Sequence, residues 1–188
     1  MQLLPIILVL LLLVGFYFVG VYNKLAKLVV RIDEAWSQID VQLKRRVDLI
    51  PNLVETVKGY ASHEKEVFEK VTEARSALMS ANTVDEKGAA DQMLTGALKS
   101  LFAVAEAYPE LKAQDGFINL QKELSDTEDK VAYSRQFYNS VVRDFNSMLA
   151  VFPTNLVGQM FGYTKKSFFE ATEEERKGIK VDFGSQNK

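Results

Sequence analysis

The chain has one histidine, His63, and Glu64 follows it directly, a pairing that in principle suits metal binding or acid–base work. Lys65, Glu66 and Val67 come next, so there is no H-E-x-x-H and no second imidazole to complete a zinc site. An ordinary surface or capping pair is the expectation. Glu123, Asp126, Glu128 and Asp129 are dense enough to suggest a carboxylate metal site between helices. Di-metal bundles, however, take a Glu-x-x-His pair from each of two helices, which one histidine cannot supply. With Lys122 and Lys130 alongside, these four carboxylates read as a solvated face. Nucleophilic catalysis has no support: there is no cysteine, no G-x-S-x-G and no second base near His63. No catalytic residue, metal site or cofactor is therefore assigned.

A more informative set is Asp40, Arg46, Asp48, Asn52, Arg135 and Asn139, charged or amide residues set among apolar positions. A buried ion is costly unless paired and hydrogen-bonded. The expectation is a structural polar network that pairs these residues across helices and fixes their register. The competing reading is a ligand pocket lined by the same set. Lys44, Arg45 and Arg46 form a short basic run, but Asp40 and Asp48 flank it, so it is a weak signal for anionic lipid. The formal net charge of −2 gives no basic footprint for nucleic acid.

The elements that must position these residues are helical. Leu25, Leu28, Val29, Ile32, Trp36, Ile39, Leu43 and Val47 are spaced by threes and fours, one stripe on one helix face. Pro51 lacks an amide hydrogen and disfavours helical geometry at Ile50, which predicts a break at residues 48–51 and a second helix opening at Pro51. The periodicity nevertheless runs on through Ile50, so one long kinked helix is the alternative. The second helix carries Leu53, Val54, Val57, Ala61, Phe68, Val71, Ala74 and Leu78 and ends near Asn82. Thr83 and Glu86 have the form of a capping box that opens a third helix, with a stripe at Met93, Leu94, Ala97, Leu98, Leu101, Phe102, Val104 and Ala105, stopped by Pro109. A long fourth helix follows Asp115 and Gly116 and runs to Pro153. Four amphipathic helices with short connections predict an all-α fold, an antiparallel four-helix bundle with coiled-coil-like spacing. Without cysteine, its stability must come from packing.

Residues 3–22 form an uncharged apolar run, long enough to cross a hydrocarbon core of roughly 30 Å as a helix. Tyr17 and Tyr22 suit the headgroup level, and Pro5 lies in the first turns. A cleavable signal peptide would need a basic start and a small-residue cleavage site, and neither is present. Lys24, Lys27 and Arg31 follow the run and no cation precedes it, which predicts a single-pass anchor with the N-terminus outside and the bundle in the cytoplasm. The organisation is thus an anchor over 1–23, a bundle over 24–152 and a docked C-terminal tail over 153–188. In that tail, Thr172 to Glu175 fits one capped helical turn closed by Gly178, and residues 179–183 read as an extended clasp.

The stretch AWSQIDVQLKRRVDLIPNLVETVKGYASHEKEV, residues 35–67, resembles the hallmark segment of the LemA family. NLQKELSDTEDKVAYSRQFYNSVVRDFNSML, residues 119–149, is similar to that family's last long helix, and Phe152-Pro153, Phe161-Gly162, Phe168-Phe169 and residues 180–183 also fit. The resemblance implies an N-terminal membrane helix, a four-helix bundle, a bacterial inner-membrane location and no settled activity. A relative in magnetic bacteria, associated with intracellular membrane compartments, adds a membrane-organising role. The expected function is a membrane-anchored scaffold for protein partners or for copies of itself, with no catalytic activity. The alternatives are an enzyme or small-ligand binder with a polar pocket between the helices, and membrane remodelling by dense packing of anchored bundles.

Overall fold

The computed structural model describes residues 3–169, and the expectations placed on residues 172–183 lie outside them. Among the described residues the regular structure is all helix, with no strand: α1 (Leu3–Lys58), α2 (Lys65–Ser80), α3 (Val84–Glu106), α4 (Pro109–Lys112), α5 (Asp115–Ala150) and α6 (Thr154–Met160). The apolar run and the first core helix are one continuous rod. Its buried face steps through Val21, Leu25, Leu28, Ile32, Ala35, Ile39, Leu43, Arg46, Ile50, Leu53 and Val57 by threes and fours. Ten of these eleven stripe positions are apolar; Arg46 is the charged exception.

The expected break at residues 48–51 is not there; the alternative, one helix running through Pro51, is what forms. The physical reason lies on a neighbouring element. A helical proline removes the hydrogen bond to the carbonyl four residues earlier, here Val47. Arg75, on α2, sends its Nε–H to that same carbonyl at 3.1 Å. A charge-assisted bond from outside thus replaces the one that proline deletes, and the rod continues to Lys58. Gly59 and the turns that follow then deliver the chain to α2, with the Ala61 amide still bonded to the Val57 carbonyl.

α1 lies along α5, and the pairs between them run in opposite sequence directions: Trp36 with Tyr138, Arg45 with Glu123, and Tyr60 with Gln114. α2 lies along α3. The turn between them carries the expected capping box: Thr83 Oγ1 accepts from the Glu86 amide at 3.2 Å while the Glu86 carboxylate accepts from the Thr83 amide at 3.1 Å. Accepting from the Asn82 and Thr83 amides holds the Glu86 carboxyl below its ordinary value.

Because α2 and α3 turn back at residues 81–83, they cover only one half of the α1–α5 pair. Residues 37–58 of α1 pack with α2, α3 and the first half of α5 around a core that includes Leu53, Val71, Ala74, Leu94 and Leu101. Residues 21–36 of α1 and 138–150 of α5 have no such cover from α2. Their apolar faces are closed instead by α6, through Val157, and by the segment that follows it, through Tyr163 and Phe169.

Candidate functional site

The six polar residues separate into distinct places. Arg46, at the centre of the shared core and 2% exposed, donates from Nη1 to Asp91 Oδ1 at 2.6 Å and from Nη2 to Thr95 Oγ1 at 3.0 Å. Its Nη2 also reaches Glu128 Oε2 at 3.4 Å, at the solvent edge. Asp91 is 4% exposed, and α3 buries it in line with Leu94, Leu98, Leu101 and Ala105. Asp40 pairs with Lys87 of α3. Contrary to the expectation, Asp48 and Asn52 stand outside this arrangement: both are exposed, Asp48 pairs with Lys44 one turn away at 2.8 Å, and among the described residues neither side chain bonds to another helix. The stripe passes beside them through Val47, Ile50 and Leu53, so a polar residue on the shoulder of the face points outward.

Asn139 and Arg135 belong to a different construction, with Asn146 as a partner that sequence reasoning missed. The Asn139 amide reads one residue of the tail twice: Phe169 N–H donates to Oδ1 at 2.8 Å, and Nδ2 donates to the Phe169 carbonyl at 2.9 Å. Asn146 does the same for Lys166, both bonds at 2.9 Å. Between them Tyr138 Oη donates to the Ser167 carbonyl at 3.1 Å. Asn139 and Asn146 are two helical turns apart, which is about 10.5 Å of rise. The three residues from 166 to 169 cover about 10 Å only if nearly fully extended. The spacing of the two asparagines therefore fixes both the direction and the extension of the tail.

At its end Phe169 is buried, 2% exposed, between Trp36 at 6.3 Å and Arg135, whose guanidinium sits 4.8 Å over the ring. Gly88, in the second turn of α3, forms the floor: a Cβ there would stand 3.5 Å from Phe169 Cε1. Burial raises the Tyr138 hydroxyl pKa above 10.0, with Asp85 and Asp33 adding to it, so the group that donates to Ser167 keeps its proton. Chemically this is a receptor for extended peptide: two amides that read main chain, one phenol and a pocket for one aromatic ring. Its occupant here is the chain's own residues 164–169.

The surface depression between α1 and α5 is bordered by Gln42, Asp126, Asp129, Lys130, Tyr133 and Ser134, which include none of the six residues. His63 is exposed in the turn between α1 and α2. Asp126, Glu128 and Asp129 are exposed as well, and no cluster with metal-ligand geometry occurs among the described residues.

The model of the LemA family matches residues 35–183, which takes in the buried Arg46–Asp91 pair, the proline-bridged turn of α1 and the asparagine clasp. This chain belongs to the LemA family. Protein LemA of Metamycoplasma hominis is 33% identical over 166 residues, 86% of this chain and 74% of that protein. Magnetosome protein MamQ of Magnetospirillum gryphiswaldense is 22% identical over 159 residues, and MamQ 2 of Paramagnetospirillum magneticum 23% over 160. Each MamQ alignment takes in 71% of this LemA-family chain, which spans less than two thirds of either magnetosome protein, 58% and 59%. None of these relatives carries the name of an enzyme. The apolar part of α1 lies ahead of the family match; it is long and apolar enough to cross a bilayer and is almost wholly exposed.

Proposed function

We propose that this chain is a non-catalytic, membrane-tethered helical scaffold that holds a rigid antiparallel four-helix bundle at a bilayer and presents it to protein partners or to copies of itself. The observation that carries the reading is the unbroken helix: α1 passes from the apolar run into the core at Val21 and Leu25 with no intervening loop. Such a joint transmits orientation as well as tethering. The cations Lys24, Lys27 and Arg31 beyond the run favour a single-pass bacterial inner-membrane protein, N-terminus outside and bundle in the cytoplasm. Relatives named as magnetosome proteins extend the reading toward membrane organisation.

Crosslinking in native membranes followed by mass spectrometry, with particle size measured after detergent extraction, tests it. Reproducible crosslinks to a defined partner or to a second copy are expected. A chain that crosslinks to nothing and sizes as a monomer would overturn the scaffold.

A further inference from the structure

The end of the fold nearest the apolar run has an unusual surface. Phe18 and Val21, in the last turn of that run, are shielded by the folded domain, whereas nearly every position before them is open. The domain therefore overlaps the end of the span and does not begin beyond it. The overlap comes from α6 and its flanks: α6 packs on both α1 and α5, and the Phe161 ring lies tilted against Tyr22 with centroids 4.6 Å apart.

On the outer side of the same segment, Val151, Phe152, Leu156, Met160 and Phe161 are between 47% and 74% exposed. An apolar cluster of that kind marks an interaction surface. The charge pattern around it is one-sided. Residues 145–169 contain no Asp or Glu, and neither do residues 1–32, so these two segments carry only cations, among them Lys24, Lys27, Lys165 and Lys166, and the first exposed carboxylates adjoining them among the described residues are Asp33 and Asp144. Exposed apolar side chains level with the last turn of a span, on segments that carry lysines and no carboxylate, match the interface of an anionic bilayer.

We infer that the foot of the domain, Phe152, Leu156 and Met160 with their neighbours, inserts into the leaflet from which α1 emerges and forms a second membrane contact. The inference rests on α1 being a membrane anchor. It goes further, because the continuous helix couples the domain to the span but leaves the tilt and rotation of the pair in the bilayer unset, and a second contact on the same leaflet fixes them.

The chain has no cysteine, so single-cysteine variants of the full chain can carry a nitroxide without background labelling. Phe152→Cys and Met160→Cys report the foot, Val14→Cys the anchor, and Met79→Cys on α2 the aqueous side. In phosphatidylcholine/phosphatidylglycerol vesicles, power saturation with dissolved oxygen and with a water-soluble nickel chelate gives the depth of each label. The expected result is a several-fold lower nickel accessibility at 152 and 160 than at 79, together with high oxygen accessibility, at a depth shallower than 14. Water-like labels at 152 and 160 beside a lipid-buried 14 would overturn the foot and leave the anchor standing. Low accessibility to both reagents would mean that protein, such as a second copy, covers the patch, and would also overturn it. A water-like label at 14 would remove the anchor and the foot together.

Discussion

At the residue scale the decisive feature is a charge in each of two stripes. Arg46 occupies one of the buried steps of α1, and Asp91 occupies one of α3, and they meet at 2.6 Å. A buried pair of this kind is weak as a source of net stability, because desolvation offsets much of the attraction, yet removing one member strands the other. Asp91→Leu alone is therefore expected to cost about 3–5 kcal/mol, the range for removing one partner of a buried charge pair. Arg46→Met with Asp91→Leu should lie much closer to the unsubstituted chain, since neither side then buries an unpaired ion. Urea unfolding of the four chains of this cycle checks it; additive losses would mean that the two charges do not act as a pair. Arg46 was legible in the sequence as a polar residue on an apolar face. Asp91 was not, because its stripe was started at Met93, which is exposed, although 91, 94, 98, 101 and 105 keep the three-four spacing. Two stripes that each carry one charge, of opposite sign, would have been the signal.

At the element scale, α1 shows why local rules on proline do not settle where a helix ends. Pro51 deletes a hydrogen bond wherever it stands in a helix interior, but whether the helix breaks depends on what else can reach the orphaned carbonyl. Arg75 does so here. The two residues should consequently be coupled. Arg75→Met alone is expected to destabilise by about 1.5–3 kcal/mol, as for a hydrogen bond to a charged group. In a Pro51→Ala background residue 51 supplies the missing amide, so the same substitution should cost much less. Thermal or urea unfolding of the four chains measures the difference, and an Arg75→Met penalty of equal size in both backgrounds would refute the bridging role. Helix content, the Thr83–Glu86 capping box and the stops near Pro109 and Pro153 could be read from spacing and caps, since those signals are local. The true turn at residues 59–64 could not, because the helix reaches it only by continuing past Pro51, where Arg75, 28 residues beyond Val47, takes up that residue's carbonyl. The asparagine clasp was half visible: Asn139 stood out, but Asn146 gains its meaning only from a tail whose path no periodicity records.

At the scale of the whole molecule, two helices too long for their neighbours are completed by an extended tail. α2 and α3 cover the half far from the apolar run, and α6 with residues 161–169 covers the near half, so tail docking and closure of that half are one event. The single tryptophan reports it directly, because Trp36 faces both Tyr138 and Phe169, at 5.8 and 6.3 Å. Phe169→Ala should empty the pocket at a cost of about 3 kcal/mol, in the range for losing a buried phenylalanine. Trp36 emission should shift to the red and hydrogen exchange should rise in residues 138–146, while α2 and α3 stay protected. Docking should also weaken in alkali. The folded pKa of Tyr138 lies above the unfolded value of 10.0, so its contribution is complete below pH 10 and declines as pH rises from there through the folded value. The Tyr163 hydroxyl is raised as well, by burial first and then by Tyr22, so Tyr138→Phe should reduce the alkaline shift of Trp36 emission without abolishing it. If Trp36 emission were indifferent both to Phe169→Ala and to pH above 10, the near half would be closing by some means other than the tail, and the clasp would be an ornament on an already finished fold.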